Sequence, residues 1–176
     1  ILQTILAQPW LNGFIHYAPE KWYDKDGASM VGPIYTAQFH FDKHLRVPKG
    51  DFVILVYAMS DSGRLTEFNG DKDINPLNIT IGNIDPVMRL KPTRGCTRAI
   101  ALLPTQVKFT GSETENSRLS QRLAFAEVIQ TVIRDAFKDL NQLWKTGFDV
   151  TCPDGKVRRG HPILAGWIAD YMEYVS

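Results

Sequence analysis

Two aspartates stand at the ends of apolar runs, where a rigid element could hold a carboxylate in place. Asp61 follows the run Phe52–Met59, and Asp170 follows Pro162–Ala169. Carboxylate oxygens are preferred ligands of Mg²⁺, and a pair of carboxylates can bind two divalent cations that activate a hydroxyl and stabilise a leaving oxygen. Each aspartate also has a simpler interpretation, because Ser60-Asp61-Ser62-Gly63 suits an ordinary turn and Asp170 could end a surface strand or helix.

The basic residues that could contact phosphate fall into two short clusters. The first cluster consists of Arg89, Lys91, Arg94 and Arg98, and the second of Lys156, Arg158 and Arg159. Phosphate contacts position DNA without reading its sequence, and clusters of this kind suit them. Solvated turns are a commoner explanation, so the clusters are predicted to contact DNA only if the two aspartates belong to a metal site.

Histidines and cysteines form no recognisable motif for zinc binding or nucleophilic catalysis. His40 and His44 are four residues apart and would share one face of a helix. Pro33 and Pro48 flank this segment and disfavour a long helix, so we do not expect a zinc site there. The two cysteines have no neighbouring ligand at zinc spacing, and we interpret them as reduced structural residues.

The strands that would carry the aspartates are predicted from the pattern of apolar residues. Phe52–Met59 is a continuous β-branched and aromatic run, which is typical of a strand buried on both faces. Further strands are expected at Leu77–Ile84, which alternates with period two, and at Arg98–Leu103. Strand chemistry resumes at Phe148–Cys152, whereas Pro162–Ala169 is compatible with either a strand or a helix.

A long helix is predicted between the third and fourth of these runs. Apolar residues across Leu119–Leu143 recur at the three-and-four spacing of one helix face. Asn116 or Ser117 can cap its start, and Gly147 can end it. Three strands, a long helix and further strand-like runs predict an α/β fold with a mixed sheet.

Length and composition favour one globular domain. The chain has 176 residues, of which 44% are hydrophobic and 22% charged. Residues 1–14 suit a short amphipathic helix and residues 16–50 an irregular arm or short hairpin, so we expect residues 1–50 to pack on a core formed by residues 51–176. Twenty basic and nineteen acidic residues leave a formal charge of +1, which excludes a global attraction to nucleic acid or anionic membranes. No apolar run approaches the roughly 20 residues that span a bilayer, so we expect a soluble intracellular protein.

Short segments spread along most of the chain carry a family resemblance. They are Tyr17–Glu20, Ala58–Asp61, Gly70–Lys72, Ile79–Ile84, Arg89–Pro92, Leu102–Pro104, Asp154–Arg159, Pro162–Ala165 and Ile168–Tyr171. In this order they resemble the Plavaka group of fungal transposases, which are relatives of the CACTA transposons. No single segment is diagnostic, but together they are specific.

The resemblance implies a ribonuclease H-like catalytic core that cuts and joins DNA by metal-dependent phosphodiester hydrolysis and strand transfer. In the family pattern Asp61 and Asp170 supply the first two acidic ligands of Mg²⁺ or Mn²⁺, and a third acid lies beyond Ser176. The implied partner is the DNA of the transposon ends, the implied compartment is the nucleus, and no membrane is involved. Homo-oligomerisation of the complete enzyme is left open.

Departures from the family pattern bear on activity. Ser62-Gly63 stands where the family has Lys-Thr, and Met172 stands where it has Pro. The chain begins at Ile1 and ends directly behind an apolar segment, so we expect an internal part of the catalytic domain, incomplete at the C-terminus, that does not transpose DNA alone. The alternative is a noncatalytic, domesticated module that binds DNA or protein without metal.

Overall fold

The computed structural model describes residues 1–60, 63–64, 73–105 and 115–169. Within it the chain folds into two compact units. The first unit comprises Ile1–Ala58, Ile79–Arg98 and Asp139–Ile168, and the second comprises Met59–Asn78, Ala99–Lys138 and Ala169–Ser176.

The chain is an α/β protein with a mixed sheet and a long helix, as the sequence predicted. The α-helices of the described ranges are α1 (Leu2–Leu6), α2 (Gln38–His44), α3 (Pro86–Arg89), α4 (Glu115–Ala136) and α5 (Leu140–Thr146). The strands are β1 (Trp22–Tyr23), β2 (Ser29–Met30), β3 (Phe52–Ser60), β4 (Gly63–Arg64), β5 (Asp73–Ile81), β6 (Thr97–Leu103), β7 (Phe148–Thr151) and β8 (Val157–Ile168). Short 3₁₀ helices occupy Pro9–Leu11, Ile34–Thr36 and Pro92–Arg94.

In the first unit β3 is flanked by β5 and β8, and β7 follows β8. Gly160 packs closely against Ile54, since a Cβ added at Gly160 would lie 2.6 Å from Cδ1 of Ile54. Gly166 packs in the same way against Tyr57, where an added Cβ would lie 2.9 Å from Cε1 of the ring. The contact that is later in β8 is also later in β3, so the two strands run in the same direction, as in a parallel pair. β7 pairs with β8 in the antiparallel sense. The segment Pro162–Ala169, which sequence patterns left undecided, therefore belongs to a strand up to Ile168.

The predicted central strand is buried as its composition required. Residues Phe52–Val56 are each at most 2% exposed, so successive side chains are covered on both faces of the sheet. Burying one large apolar side chain contributes roughly 1.5–3 kcal/mol. This run therefore forms the core of the first unit.

Asn83 joins β3 to two other segments of the first unit. Its Oδ1 accepts from the Leu55 amide at 2.8 Å, and its Nδ2 donates to the carbonyls of Val53 and His16 at 2.9 Å each. The side chain is fully buried. Directly before it, the Gly82 amide donates to the Leu55 carbonyl, so the end of β5 lies against the beginning of β3, as in an antiparallel pair.

The second unit contains strand pairs and the long helix. β4 and β6 both pair with β5, and the β4–β5 pair is antiparallel. The prediction of one helix across residues 119–143 is wrong, because α4 ends at Ala136, the chain turns at residues 137–139 and α5 begins at Leu140. The predicted caps Asn116 and Ser117 lie inside α4 rather than before it. No helix of the described ranges is long and apolar enough to cross a membrane.

The N-terminal fifty residues are more regular than the sequence indicated. The expected hairpin forms, with Trp22 paired to Met30. The expectation of irregular structure is wrong for residues 38–44, which form α2. Seven residues fit between the turn signals at Pro33 and Pro48, so these prolines limit the helix without preventing it.

We predict that Asn83→Ala destabilises the protein by about 2–4 kcal/mol, because it leaves one amide and two carbonyl groups buried without their partner. The free energy of unfolding measured by chemical denaturation tests this. Asn141→Ala is the matched control, since Asn141 is exposed on α5. Equal stabilities of the two variants would contradict the role of Asn83.

Candidate functional site

The two predicted metal ligands, Asp61 and Asp170, lie outside the described residues. The strands that lead to them are described: β3 ends at Ser60, β8 ends at Ile168, and the two strands are neighbours in the sheet. Within the described ranges no group of three or more His, Cys, Asp or Glu residues could hold a metal ion. The metal site at the two aspartates therefore stays a prediction.

The first basic cluster is gathered by α3, the following 3₁₀ turn and the start of β6. Burial raises the pKa of the Cys96 thiol, and the charges of Arg89, Arg94 and Arg98 oppose this rise, so all three guanidinium groups act on one thiol. In the part of the chain that the structure describes, no member of the cluster forms an ion pair. The cluster is thus a local concentration of uncompensated positive charge on a chain of nearly zero net charge.

Arg89 is held differently from the rest of its cluster. Its guanidinium carbon lies 5.2 Å from the centroid of the Tyr57 ring, within the range of a cation–π contact. Two glycines leave room for that ring: Cε2 faces Gly82, which directly follows β5, and Cε1 faces Gly166 on β8. Arg89 is therefore fixed to the sheet of the first unit through an aromatic side chain.

The second basic cluster is largely neutralised by its own surroundings. Both terminal nitrogens of Arg158 donate to the Asp154 carboxylate, at 2.8 and 2.7 Å, and this contact holds the pKa of Asp154 well below its usual range. Arg159 donates to the Thr146 carbonyl at 2.9 and 2.6 Å. Lys156 is exposed. Two of the three predicted phosphate contacts in this cluster thus already have protein acceptors.

A polar cluster around His16 was not predicted from the sequence. Nδ1 of His16 is hydrogen-bonded to Glu20, Nε2 lies 4.0 Å from Asp85 Oδ2, and the ring stacks on Tyr35 with centroids 3.8 Å apart. Burial alone would raise the pKa of Glu20, but hydrogen bonds from His16 and Trp22 outweigh it and lower the pKa. The imidazole thus has a carboxylate near each of its ring nitrogens. The only sequence signal was its position beside the family segment Tyr-Ala-Pro-Glu.

His161 has a structural environment. Its Nδ1 donates to the Trp144 carbonyl at 2.8 Å, and its Nε2 lies 2.9 Å from Oδ2 of Asp51. The residue is 3% exposed. These bonds connect β8 to α5 and to the residue before β3, so the side chain stabilises the first unit.

His40 and His44 lie one turn apart on α2. His40 is fully buried. Burial lowers its pKa to about 4, and the neighbouring His44 and His16 act in the same direction, whereas a hydrogen bond to the Tyr35 carbonyl partly opposes them. His40 is therefore neutral at neutral pH.

Comparison with known protein families gives a match for this chain. A family model described as Plavaka transposase matches residues 1–176, which is the whole chain. The chain therefore belongs to the Plavaka transposase family. No curated protein and no solved structure gives a significant match.

We predict that acid destabilises the protein through His40. Its pKa in the folded state, about 4, lies below its ordinary value of 6.5, so between these values the unfolded chain binds more protons. The contribution of His40 to the free energy of unfolding is complete above pH 6.5 and is lost as the pH falls towards 4. The total loss is about 3 kcal/mol. Unfolding free energies at pH 7 and pH 4.5 should differ less in His40→Leu than in the wild type. An unchanged difference would contradict this assignment.

Proposed function

We propose that the chain forms part of a ribonuclease H-like catalytic core that cuts and joins transposon-end DNA in the nucleus with divalent cations bound by Asp61 and Asp170. The observation that carries this proposal is the parallel pairing of β3 and β8, the two strands that precede these aspartates. A buried first strand, two further strands, a long helix and a strand returning beside the first agree with the order expected from the family resemblance.

The neighbouring positions of β3 and β8 support a shared metal site. Asp61 directly follows the last residue of β3, and Asp170 follows the last residue of β8 by two positions. Because the two strands are neighbours in the sheet, the two carboxylates would lie close enough to share an ion. Mg²⁺ or Mn²⁺ bound by these oxygens would activate water or a 3′-hydroxyl and stabilise the leaving oxygen.

Charge distribution supports DNA contact by the first basic cluster. The cluster Arg89, Lys91, Arg94 and Arg98 has no ion pair within the described ranges, and an uncompensated cation attracts phosphate most strongly. Lys156 and Arg159 are exposed and stay candidate phosphate contacts, while Arg158 is engaged by Asp154. A noncatalytic DNA-binding module is the second candidate function, because this charge attracts DNA without metal.

We predict that Mn²⁺ binds saturably to the wild-type chain in isothermal calorimetry. Asp61→Asn and Asp170→Asn should each weaken binding at least tenfold, and the double variant should abolish it, because each removes a charged ligand of the same site. Asp139→Asn is the matched control, since Asp139 is exposed and makes no capping bond. Absent Mn²⁺ binding with intact DNA binding would overturn the metal site and favour the noncatalytic module.

We predict that duplex DNA binding depends on the first basic cluster. In EDTA, Arg94→Ala combined with Arg98→Ala should lower affinity and reduce the slope of log K against log salt by about 2, since each lost phosphate contact removes about 0.9. Fluorescence anisotropy over a KCl series measures both. Arg158→Ala should change the slope much less, because Asp154 already compensates that charge. A larger effect of Arg158→Ala would reverse the ranking of the two clusters.

A further inference from the structure

Two histidines present their rings on successive turns of one helix face. His40 and His44 have ring centroids 5.9 Å apart, with the planes at 79°. Residues four apart on a helix are neighbours, and α2 holds both backbones rigidly. Paired histidines at this spacing on a helix are a known arrangement for metal ligation.

The free ring nitrogens of these residues lack hydrogen-bond partners. His40 Nδ1 lies 3.4 Å from the Tyr35 carbonyl; a carbonyl only accepts, so Nδ1 carries the proton and Nε2 keeps its lone pair. Among the described residues, neither Nε2 of His40 nor Nδ1 of His44 has a partner, although both atoms are buried. Buried polar atoms in folded proteins are nearly always paired, so these two nitrogens on successive helix turns are available to a ligand.

A hydrogen bond already fixes the orientation of the His40 ring. Metal-bound histidines usually donate their other N–H to a carbonyl or carboxylate, which fixes the tautomer and the ring orientation. The Tyr35 carbonyl occupies that position beside His40.

We propose that Nε2 of His40 and Nδ1 of His44 bind a divalent late transition-metal ion of the Zn²⁺ type, with water completing its coordination. The two ring centroids are 5.9 Å apart, so one ion with Zn–N bonds of about 2.1 Å could contact a nitrogen of each ring. His44 is half-buried, so solvent can reach one side of the ion. Two protein ligands give weaker binding than the four of a structural zinc site.

This site is chemically distinct from the proposed carboxylate site. Imidazole nitrogens prefer Zn²⁺, Cu²⁺ and Ni²⁺, whereas carboxylate oxygens prefer Mg²⁺ and Mn²⁺. The ion at α2 would fasten a buried side chain to a half-buried one and so stabilise the N-terminal part of the first unit. Because binding to the folded state alone raises stability by mass action, Zn²⁺ should raise the melting temperature.

The experiment is Zn²⁺ titration by calorimetry and thermal denaturation, with excess Mg²⁺, in an Asp61→Asn, Asp170→Asn background that removes the carboxylate site. We expect about one equivalent of Zn²⁺ and a higher melting temperature. His44→Gln should weaken binding at least tenfold and remove the thermal shift. His44 is the primary position because it is less buried than His40, and circular dichroism of the variant verifies folding.

His16→Gln is the matched control, because His16 with Glu20 and Asp85 is the other group that could attract zinc. It should leave Zn²⁺ affinity unchanged. No Zn²⁺ binding in the background protein would overturn the proposal and leave a bridging water as the partner of the two nitrogens. Loss of binding in His16→Gln, with His44→Gln unaffected, would overturn it as well and assign the ion to the His16 cluster.

Discussion

The buried amide of Asn83 is the interaction on which the first unit depends. Where β5 ends beside the buried strand β3, the backbone groups of β3 lose their partners in the sheet. Unpaired backbone groups in an apolar interior lower the stability of a fold. Asn83 supplies one acceptor and two donors where β5 stops, and these pair with Leu55, Val53 and the carbonyl of His16. The preceding Gly82 permits the close approach, because a Cβ there would lie 2.6 Å from Ile34. Sheet, turn and N-terminal segment are thereby held by one side chain.

The contacts of each arginine determine how much of its positive charge is available to phosphate. The Tyr57 ring has space between Gly82 and Gly166, and it contacts the guanidinium group of Arg89. Holding a guanidinium group on an aromatic ring replaces part of its hydration without neutralising it. In contrast, Arg158 is neutralised by a bidentate contact with Asp154. Two clusters that are similar in sequence therefore differ in the charge that each can offer to phosphate.

The sequence predicted the elements whose signals are local. A continuous β-branched run was sufficient for β3. The break between α4 and α5 was missed because the apolar spacing continues through Phe137 and Leu140, although the backbone turns there. The His16 cluster was missed because Asp85 is distant in sequence and reaches His16 only after the chain folds. Sequence reasoning likewise identified the basic residues, but not their ion pairs. Arg158 pairs locally with Asp154, four residues before it, whereas the contact of Arg159 with Asp149 needs the pairing of β7 with β8.

Metal chemistry and DNA attraction make different demands on a fold. A metal site needs its ligands within about 0.2 Å of ideal distances, whereas attraction between charges extends over about 10 Å at 0.1 M salt. Under the proposed function, a local change beside Asp61, such as Ser62-Gly63 in place of the family's Lys-Thr, would therefore act on catalysis before it acts on DNA binding. The first basic cluster and Asp61 belong to different segments of the chain, so substitutions at one need not alter the other. Binding of DNA without cleavage is thus the property that the proposed function expects to survive such a change.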